Sequence, residues 1–187
     1  GDNMKKCLIR NDFLDYNFKD LCGINLLSGN TPIVVNYKNE EITDINGELN
    51  RISNTGYFCS TEYVSINSDK CIIIFDLKKD ISPDCILISS AYSEDEDIGL
   101  DSYELYISDT LEELFERKNK IVEYNNASIW KSLSNRNGCD QMFEIEDYKG
   151  RYFALKVSNS NPTDSITRIS YIGLYNYEFT EQLTFCE

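Results

Sequence analysis

The fold class is decided by the stretch Tyr103-Glu104-Leu105-Tyr106-Ile107-Ser108-Asp109, in which Leu105 and Ile107 alternate with more polar residues. A period of two puts one set of side chains on the core face of a β-strand and the other set on its solvent face. Residues 150–157 repeat this alternation, and residues 168–175 form a third strand-like segment. The second half of the chain therefore predicts several strands that bury one face.

Other segments extend this pattern. Residues 71–77 are nearly all apolar, which predicts a central strand buried on both faces, and the polar run at residues 78–80 predicts a turn after it. Residues 109–112 resemble a capping box, so a helix of one or two turns is expected there. Many short strands separated by turns, with one short helix, are typical of an all-β antiparallel sandwich.

The charge of the chain excludes some partners. Its 187 residues carry 32 acidic and 18 basic side chains, a net charge of -14. Such a surface repels nucleic-acid phosphates and anionic lipid, and no basic cluster offsets it. No stretch approaches the ~20 apolar residues that cross a bilayer. We therefore predict neither nucleic-acid binding nor membrane insertion.

The composition also argues against common catalytic sites. The chain has no histidine, which excludes Ser/His/Asp and Cys/His arrangements. Its seven cysteines include no C-x-x-C pair, so neither a zinc site nor a disulfide framework is predicted. We predict that the protein is not an enzyme, and a hydrolase with two catalytic carboxylates stays as an alternative.

The length predicts one domain, residues 24–187, which folds as the sandwich. Residues 1–23 mix apolar and charged side chains and are interpreted as a leader or a peripheral segment. No signal peptide is visible, and if the protein is exported, the signal peptide has been removed from this sequence.

Six segments in chain order carry a family resemblance. They match the patterns N-L-L/A-x-G, T-D-G, F/V-D-L, Y-E-L-Y-V-S-D followed by L-F, R-Y-F/V-x-L-x-V and I-S-E-I-x-L-Y. They are residues 25–29, 43–47, 75–77, 103–109 with 114–115, 151–157 and 169–175. This order resembles the galactose-binding-like jelly roll, a superfamily that includes discoidin or coagulation-factor C-terminal domains and many bacterial carbohydrate-binding modules.

The resemblance implies a jelly-roll β-sandwich that binds glycans without catalysis. It further implies a module of a larger multidomain bacterial protein, secreted or held at the cell surface. The alternative from a different class is a protein-interaction or structural spacer domain that binds no sugar. An exposed patch of tyrosines on a sheet face would favour that alternative.

The candidate glycan site lies in the polar loop that holds the single tryptophan. Sugar binding needs an aromatic face for the C–H side of a pyranose and polar groups for its hydroxyls. Trp130 is the candidate for stacking, with Asn135, Arg136 and Asn137 as hydrogen-bonding groups. The alternative is that Trp130 anchors its loop by packing in the core.

Two tyrosines are further candidates for ligand contact. Tyr57 lies in a loop that the resemblance implies for ligand binding, and Tyr92 opens the acidic loop at residues 93–97. The alternatives are a core aromatic for Tyr57 and a solvated acidic loop beside Tyr92. Arg151 is interpreted as structural, paired across a turn with an acidic residue such as Asp147.

The resemblance also implies a structural calcium near the Asp-Gly loop. Residues 43–47 hold one extra residue, and Tyr171 stands where the family pattern has a glutamate ligand. Calcium needs several oxygen ligands, so the loss of a carboxylate weakens the site. Asp44 and Asn46 remain as candidate ligands, and the sequence leaves calcium binding open.

Overall fold

The computed structural model describes residues 4–10, 24–54, 62–91, 99–125, 140–159 and 164–176. Within these ranges, a short α-helix, α1 (Leu111–Phe115), and a 3₁₀ turn (Leu49–Ser53) accompany the strands. The strands are β1 (Met4–Arg10), β2 (Ile33–Val35), β3 (Ile45–Asn46), β4 (Val64–Ile66), β5 (Ile72–Ile81), β6 (Cys85–Ser90), β7 (Ser102–Ser108), β8 (Lys120–Asn125), β9 (Asp140–Ile145), β10 (Gly150–Asn159) and β11 (Thr167–Tyr175).

The strands form two antiparallel sheets. The six-stranded sheet has the order β1-β9-β6-β11-β4-β3, and the five-stranded sheet has the order β2-β5-β10-β7-β8. Between them lies one apolar core, to which both sheets contribute alternate residues of their strands. The predicted all-β antiparallel jelly-roll sandwich with a short helix is confirmed.

The predicted strand parities are also confirmed. Leu105 and Ile107 of β7, with Phe153 and Leu155 of β10, are almost completely buried in the core between the sheets. β7 and β10 are hydrogen-bonded neighbours, with Leu155 opposite Leu105. Each such pair buries apolar surface that contributes on the order of 25 cal/mol per Å².

Helix α1 explains why β5 is apolar on both faces. Ile73 of β5 faces the core, whereas Ile72 and Ile74 lie in a second apolar cluster on the outer face, together with Leu114 of α1. The side chain of Thr110 caps the helix by accepting a hydrogen bond from the Glu113 amide at 3.1 Å. The predicted short helix is confirmed, with its capping pair one residue later than the predicted 109–112. The helix covers the outer face of β5, and this is why that strand is buried on both faces.

The predicted turn at residues 78–80 is wrong, because β5 continues to Ile81. The polar residues form a β-bulge, which shifts the pairing register between β5 and β10. Asp76 pairs with Tyr152 and Ile81 pairs with Gly150, so four residues of β5 lie opposite the single residue Arg151. A bulge of this kind accommodates extra residues without ending the strand, and Lys78 adopts a left-handed backbone with φ of 68°.

The segment ahead of residue 24 contributes a strand. β1 pairs with β9 over Met4–Arg10 and forms an edge of the six-stranded sheet. Its sequence lacks a clear period of two, which is why the pattern did not indicate a strand there. The division of the chain at residue 24 stays a prediction.

Asn25 ties the start of the sandwich domain to β11. It is buried, and its Oδ1 accepts hydrogen bonds from the amides of Leu27 at 3.1 Å and Leu174 at 3.0 Å. Its Nδ2 lies within 3.0 Å of three acceptors, which are the carbonyls of Ser53 and Ile172 and the hydroxyl of Tyr171. One amide side chain therefore joins the 3₁₀ turn, the first loop and β11.

Candidate functional site

Three long connections leave the sandwich at one end, which we call the loop end. In the five-stranded sheet, Ser102 at the start of β7 lies opposite both Asn125 and Asn159, the last residues of β8 and β10. In the six-stranded sheet, Ser89 near the end of β6 lies opposite Asp140 at the start of β9. The connections β6–β7, β8–β9 and β10–β11 therefore all span this end.

The short connection between β4 and β5 shows that the two sheets have their ends side by side at the loop end. The Thr167 hydroxyl at the start of β11 donates to the Ser68 carbonyl at 2.6 Å. The Val157 amide near the end of β10 donates to the Cys71 carbonyl at 2.8 Å. Residues 67–71 thus bridge the two sheets and hold the loop end together.

An aromatic cluster forms the floor beneath the loop end. The ring of Tyr103 lies 5.0 Å from that of Tyr124, and both rings meet Phe143 edge-on at 6.3 and 5.9 Å between centroids. The Tyr103 hydroxyl donates to Oε1 of buried Gln141 at 2.8 Å and so connects the two sheets. This packing fills the core at the loop end of the described strands.

A charged pair stands at the start of β11 on the rim. Arg168 Nη1 and Nη2 donate to Asp164 Oδ1 and Oδ2 at 3.1 and 2.6 Å. The hydrogen bond from Arg168 holds the pKa of Asp164 below its usual range, so the carboxylate is ionised. Sequence reasoning missed this pair, although the i, i+4 spacing of opposite charges was visible.

All six predicted ligand-binding residues lie outside the described residues. Trp130, Asn135, Arg136 and Asn137 belong to residues 126–139, which connect β8 to β9, and Tyr92 belongs to residues 92–98, which connect β6 to β7. Both segments join strands at the loop end. Tyr57 belongs to residues 55–61, between the 3₁₀ turn and β4, and lies outside the described residues as well.

The two calcium candidates are described and exposed. Asp44 Oδ2 accepts a hydrogen bond from Asn67 Nδ2 at 2.6 Å, and Asn46 pairs with Ser65 in the ladder between β3 and β4. Within the described ranges, no three His, Cys, Asp or Glu side chains gather as a metal site. Further calcium ligands there would have to be backbone or amide oxygens.

Arg151 is paired, but its partner is Asp76 and not Asp147. Arg151 Nε and Nη2 donate to Asp76 Oδ1 and Oδ2 at 2.8 and 2.9 Å, a bidentate pair across the β5–β10 ladder. Asp147 instead sits in the β9–β10 turn with φ of 67°. The planar guanidinium forms two parallel hydrogen bonds to this carboxylate, which makes the pair stronger and more specific than a single contact.

Comparisons with known proteins identify the fold. No protein-family model matches the chain, and no curated protein matches it. The module CpGH89CBM32-6 of Clostridium perfringens is 21% identical, with a TM-score of 0.55 over 81% of this chain and 98% of the module. The lectin domain of lectinolysin, solved with Lewis B antigen, is 11% identical, with a TM-score of 0.55 over 81% of this chain and 96% of that domain.

A third structure agrees with these two. A fucose-binding module of Streptococcus pneumoniae is 15% identical, with a TM-score of 0.52 over 81% of this chain and 94% of the module. The chain has the same jelly-roll β-sandwich fold as these modules. At these identities the similarity establishes the architecture, and this jelly roll spans nearly the whole of each compared module.

Proposed function

We propose that this galactose-binding-like jelly roll is a non-catalytic carbohydrate-binding module that binds glycans at its loop end. The main support is the fold, which is shared with a fucose-binding module and with a lectin domain complexed with Lewis B antigen. A second support is that three long connections leave the described strands at one end, next to a buried aromatic cluster. A fold alone hosts many functions, so the proposal depends on the loop residues.

In this proposal, Trp130 stacks on the C–H face of a sugar ring and Asn135, Arg136 and Asn137 bind its hydroxyls. Tyr92, on a second connection at the loop end, adds a further aromatic surface, and Tyr57 extends the contact. Such a site is shallow and buries little area, so we expect weak binding of a single glycan and stronger binding when several modules act together.

Three carboxylates that pair with basic groups are unsuited to the role of general acid. Asp76, Glu104 and Asp164 each pair with an arginine or lysine. The pKa of each is lowered. The main cause is the hydrogen bond from Arg151 for Asp76 and the hydrogen bond from Arg168 for Asp164. The pKa of Glu104 is lowered although its burial acts in the opposite direction. A general acid for glycoside hydrolysis needs a raised pKa, so these three groups suit binding and structure.

We further propose that the module belongs to a larger secreted or cell-surface bacterial protein. Its role would be to hold an enzyme or a cell near glycans. Within the described part of the chain, no helix combines the length and the apolar character needed to cross a bilayer.

The first test is a glycan array probed with the wild-type domain and with Trp130→Ala. We expect selective binding by the wild type and about a tenfold or greater loss in the variant, because the stacking surface is removed. Ile24→Ala is the control, since Ile24 is an exposed apolar side chain next to Asn25, which is bonded to the end of β11 away from the loop end. Equal melting temperatures of the variants show that the loss concerns binding alone.

Two results would oppose the proposal. Absence of binding by the wild type, with calcium or with chelator, would favour the interaction or spacer role. Unchanged glycan binding by Trp130→Ala would show that Trp130 does not contact the sugar and would favour the alternative that it packs in the core. Among the described residues, the tyrosines of the sheets are largely buried, and the exposed large apolar side chains are Ile24, Ile33 and Tyr37. No tyrosine patch in that part of the chain therefore favours the spacer role.

Calcium binding at the loop of Asp44 and Asn46 is a separate proposal. Their side-chain oxygens, completed by backbone carbonyls, would hold the ion between β3 and its preceding loop. We expect millimolar calcium to raise the melting temperature of the wild type, a chelator to reverse this, and Asp44→Ala to remove the shift. Glu112→Ala, an exposed acid on α1, is the control and keeps the shift. A wild-type melting temperature indifferent to calcium contradicts this proposal.

A further inference from the structure

A cleft of about 290 Å³ opens on the outer face of the five-stranded sheet, and we call it the side cleft. It is far from the loop end, because Tyr152 in its lining lies opposite Ser108, the last residue of β7, whereas β7 begins at the loop end. The side cleft is lined by Thr31, Ile33, Ile74, Asp76, Lys78, Leu111 and Tyr152.

The strand register explains how these residues meet. Asp76 and Tyr152 are direct cross-strand partners, and Ile33 and Ile74 are partners in the next row on the same outer face. β2 begins at Ile33, directly after Pro32, which has no amide hydrogen to extend the ladder. Leu111 of α1 forms the opposite wall. The cleft is therefore the gap between the start of β2 and the start of α1.

The polar groups of the side cleft are held in fixed positions. Both oxygens of Asp76 are bound by Arg151 at 2.8 and 2.9 Å, and the Lys78 amide donates to Oδ1 at 2.9 Å. Lys78 Nζ lies 3.5 Å from Oδ2, at the limit of a hydrogen bond. The guanidinium of Arg151 lies 5.2 Å from the centre of the Tyr152 ring and restricts it.

Charged groups of both signs lie together at the side cleft. The hydrogen bonds from Arg151 hold the pKa of Asp76 far below its usual range, so the carboxylate is always ionised near neutral pH. Arg151 and Lys78 lie beside it, and the side cleft thus offers acceptors and donors side by side. A sugar hydroxyl can both donate and accept and so suits such an arrangement.

Local backbone strain accompanies the cleft. The bulge in β5 puts Lys78 in the left-handed region, with φ of 68°, which costs roughly 1 kcal/mol for a residue with a side chain. The bulge lies between the core residues Leu77 and Ile81 of β5, and Lys78 belongs to the extra residues that it inserts. Bulges often re-aim side chains beside binding sites.

We infer that the side cleft is a second carbohydrate subsite, which takes one neutral sugar ring against Tyr152 with its hydroxyls on Asp76, Lys78 and Thr31. The inference rests on the proposed glycan-binding function and extends it to a second face. The apolar side chains of Ile33 and Leu111 suit the C–H side of the ring. A volume near the lower end of small-molecule sites, about 300 Å³, suits one ring better than a chain of rings.

The test is an NMR titration of the ¹⁵N-labelled domain with the methyl glycosides of galactose, fucose, glucose and N-acetylgalactosamine at millimolar concentrations. We expect at least one glycoside to shift the amide signals of Asp76, Lys78 and Tyr152. Tyr152→Ala should weaken that binding about tenfold, and Tyr152→Phe should retain it because the ring provides the contact. Tyr37→Ala, on the same face but outside the cleft, should bind as the wild type does.

The same titration separates this inference from the proposed function. Trp130→Ala should abolish shifts in residues 126–139 and leave those of the side cleft unchanged. Shifts in the wild type confined to residues 126–139, with no effect of Tyr152→Ala on affinity, would overturn the second subsite and leave the loop-end proposal standing. An absence of shifts at either place would overturn both.

Discussion

Replacing Asn25 with alanine is expected to lower the free energy of unfolding by about 3–5 kcal/mol. The side chain is 1% exposed and connects Leu27, Ser53, Ile172 and Leu174 through four hydrogen bonds to their backbone. In the variant, these buried groups lose partners that water cannot replace. Each buried group left unsatisfied costs about 1–3 kcal/mol, so the sum exceeds the effect of most substitutions.

Urea denaturation followed by circular dichroism measures this difference. Asn50→Ala is the matched control, because Asn50 is exposed on the 3₁₀ turn that ends at Ser53. The control should change the free energy of unfolding by less than about 0.5 kcal/mol. If Asn25→Ala were no less stable than Asn50→Ala, the buried amide could not be what fastens the first loop to β11.

The strand pattern is predictable because burial acts on neighbouring residues of one strand. Leu105 and Ile107 point to the same side of β7 whatever its partner is, so their parity is visible in the sequence. The doubly apolar β5 is predictable for the same reason. What the pattern could not indicate is that its outer residues, such as Ile74, lie beneath a helix.

Partner choice is much harder to predict, because it depends on which strands become neighbours. Arg151 has acidic residues close to it in sequence, but its carboxylate partner Asp76 lies 75 positions away. Only the antiparallel pairing of β5 with β10 brings the two together. The bulge before Ile81 was missed because Lys78 and its neighbours are polar, as turn residues are.

The candidate sites show the same limit. Trp130 could be singled out because it is the only tryptophan, and the strand ends show that its connection spans the loop end. The side cleft has no local signature. Tyr152 and Asp76 come from different strands, and Leu111 comes from the helix that forms its far wall. The side cleft exists because the topology brings these elements together, and no short sequence motif reveals that topology.

Replacing Gly150 with alanine is expected to destabilise the fold by about 2–3 kcal/mol, because two strands touch there. A Cβ atom at Gly150 would lie 2.7 Å from the Ser108 carbonyl oxygen, 2.8 Å from its carbon and 2.9 Å from the Ser108 nitrogen. All three are backbone atoms, which cannot rotate away as a side chain can. The start of β10 would therefore have to move from the end of β7.

That movement gives the prediction a second readout. Gly150 is followed by Arg151 and Tyr152, so a shift of this segment should also disturb the ion pair with Asp76 and the lining of the side cleft. We expect Gly150→Ala to lower stability in urea denaturation and to shift the amide signals of Asp76 and Tyr152 without any ligand.

Gly29→Ala is the control that distinguishes the effect of the close contact at Gly150 from the effect of backbone conformation. At Gly29, a Cβ atom would have no neighbour within 4 Å, but φ is 86°. At Gly150, φ is ordinary, but a Cβ atom would clash with the backbone of Ser108. The cost at Gly29 is conformational strain of about 1 kcal/mol, with no displacement of strands. Gly29→Ala should thus be the milder variant and leave the signals of Tyr152 in place. If both variants lost the same free energy of unfolding and the signals around Tyr152 did not shift, the backbones of β7 and β10 would be able to accommodate a methyl group, contrary to this prediction.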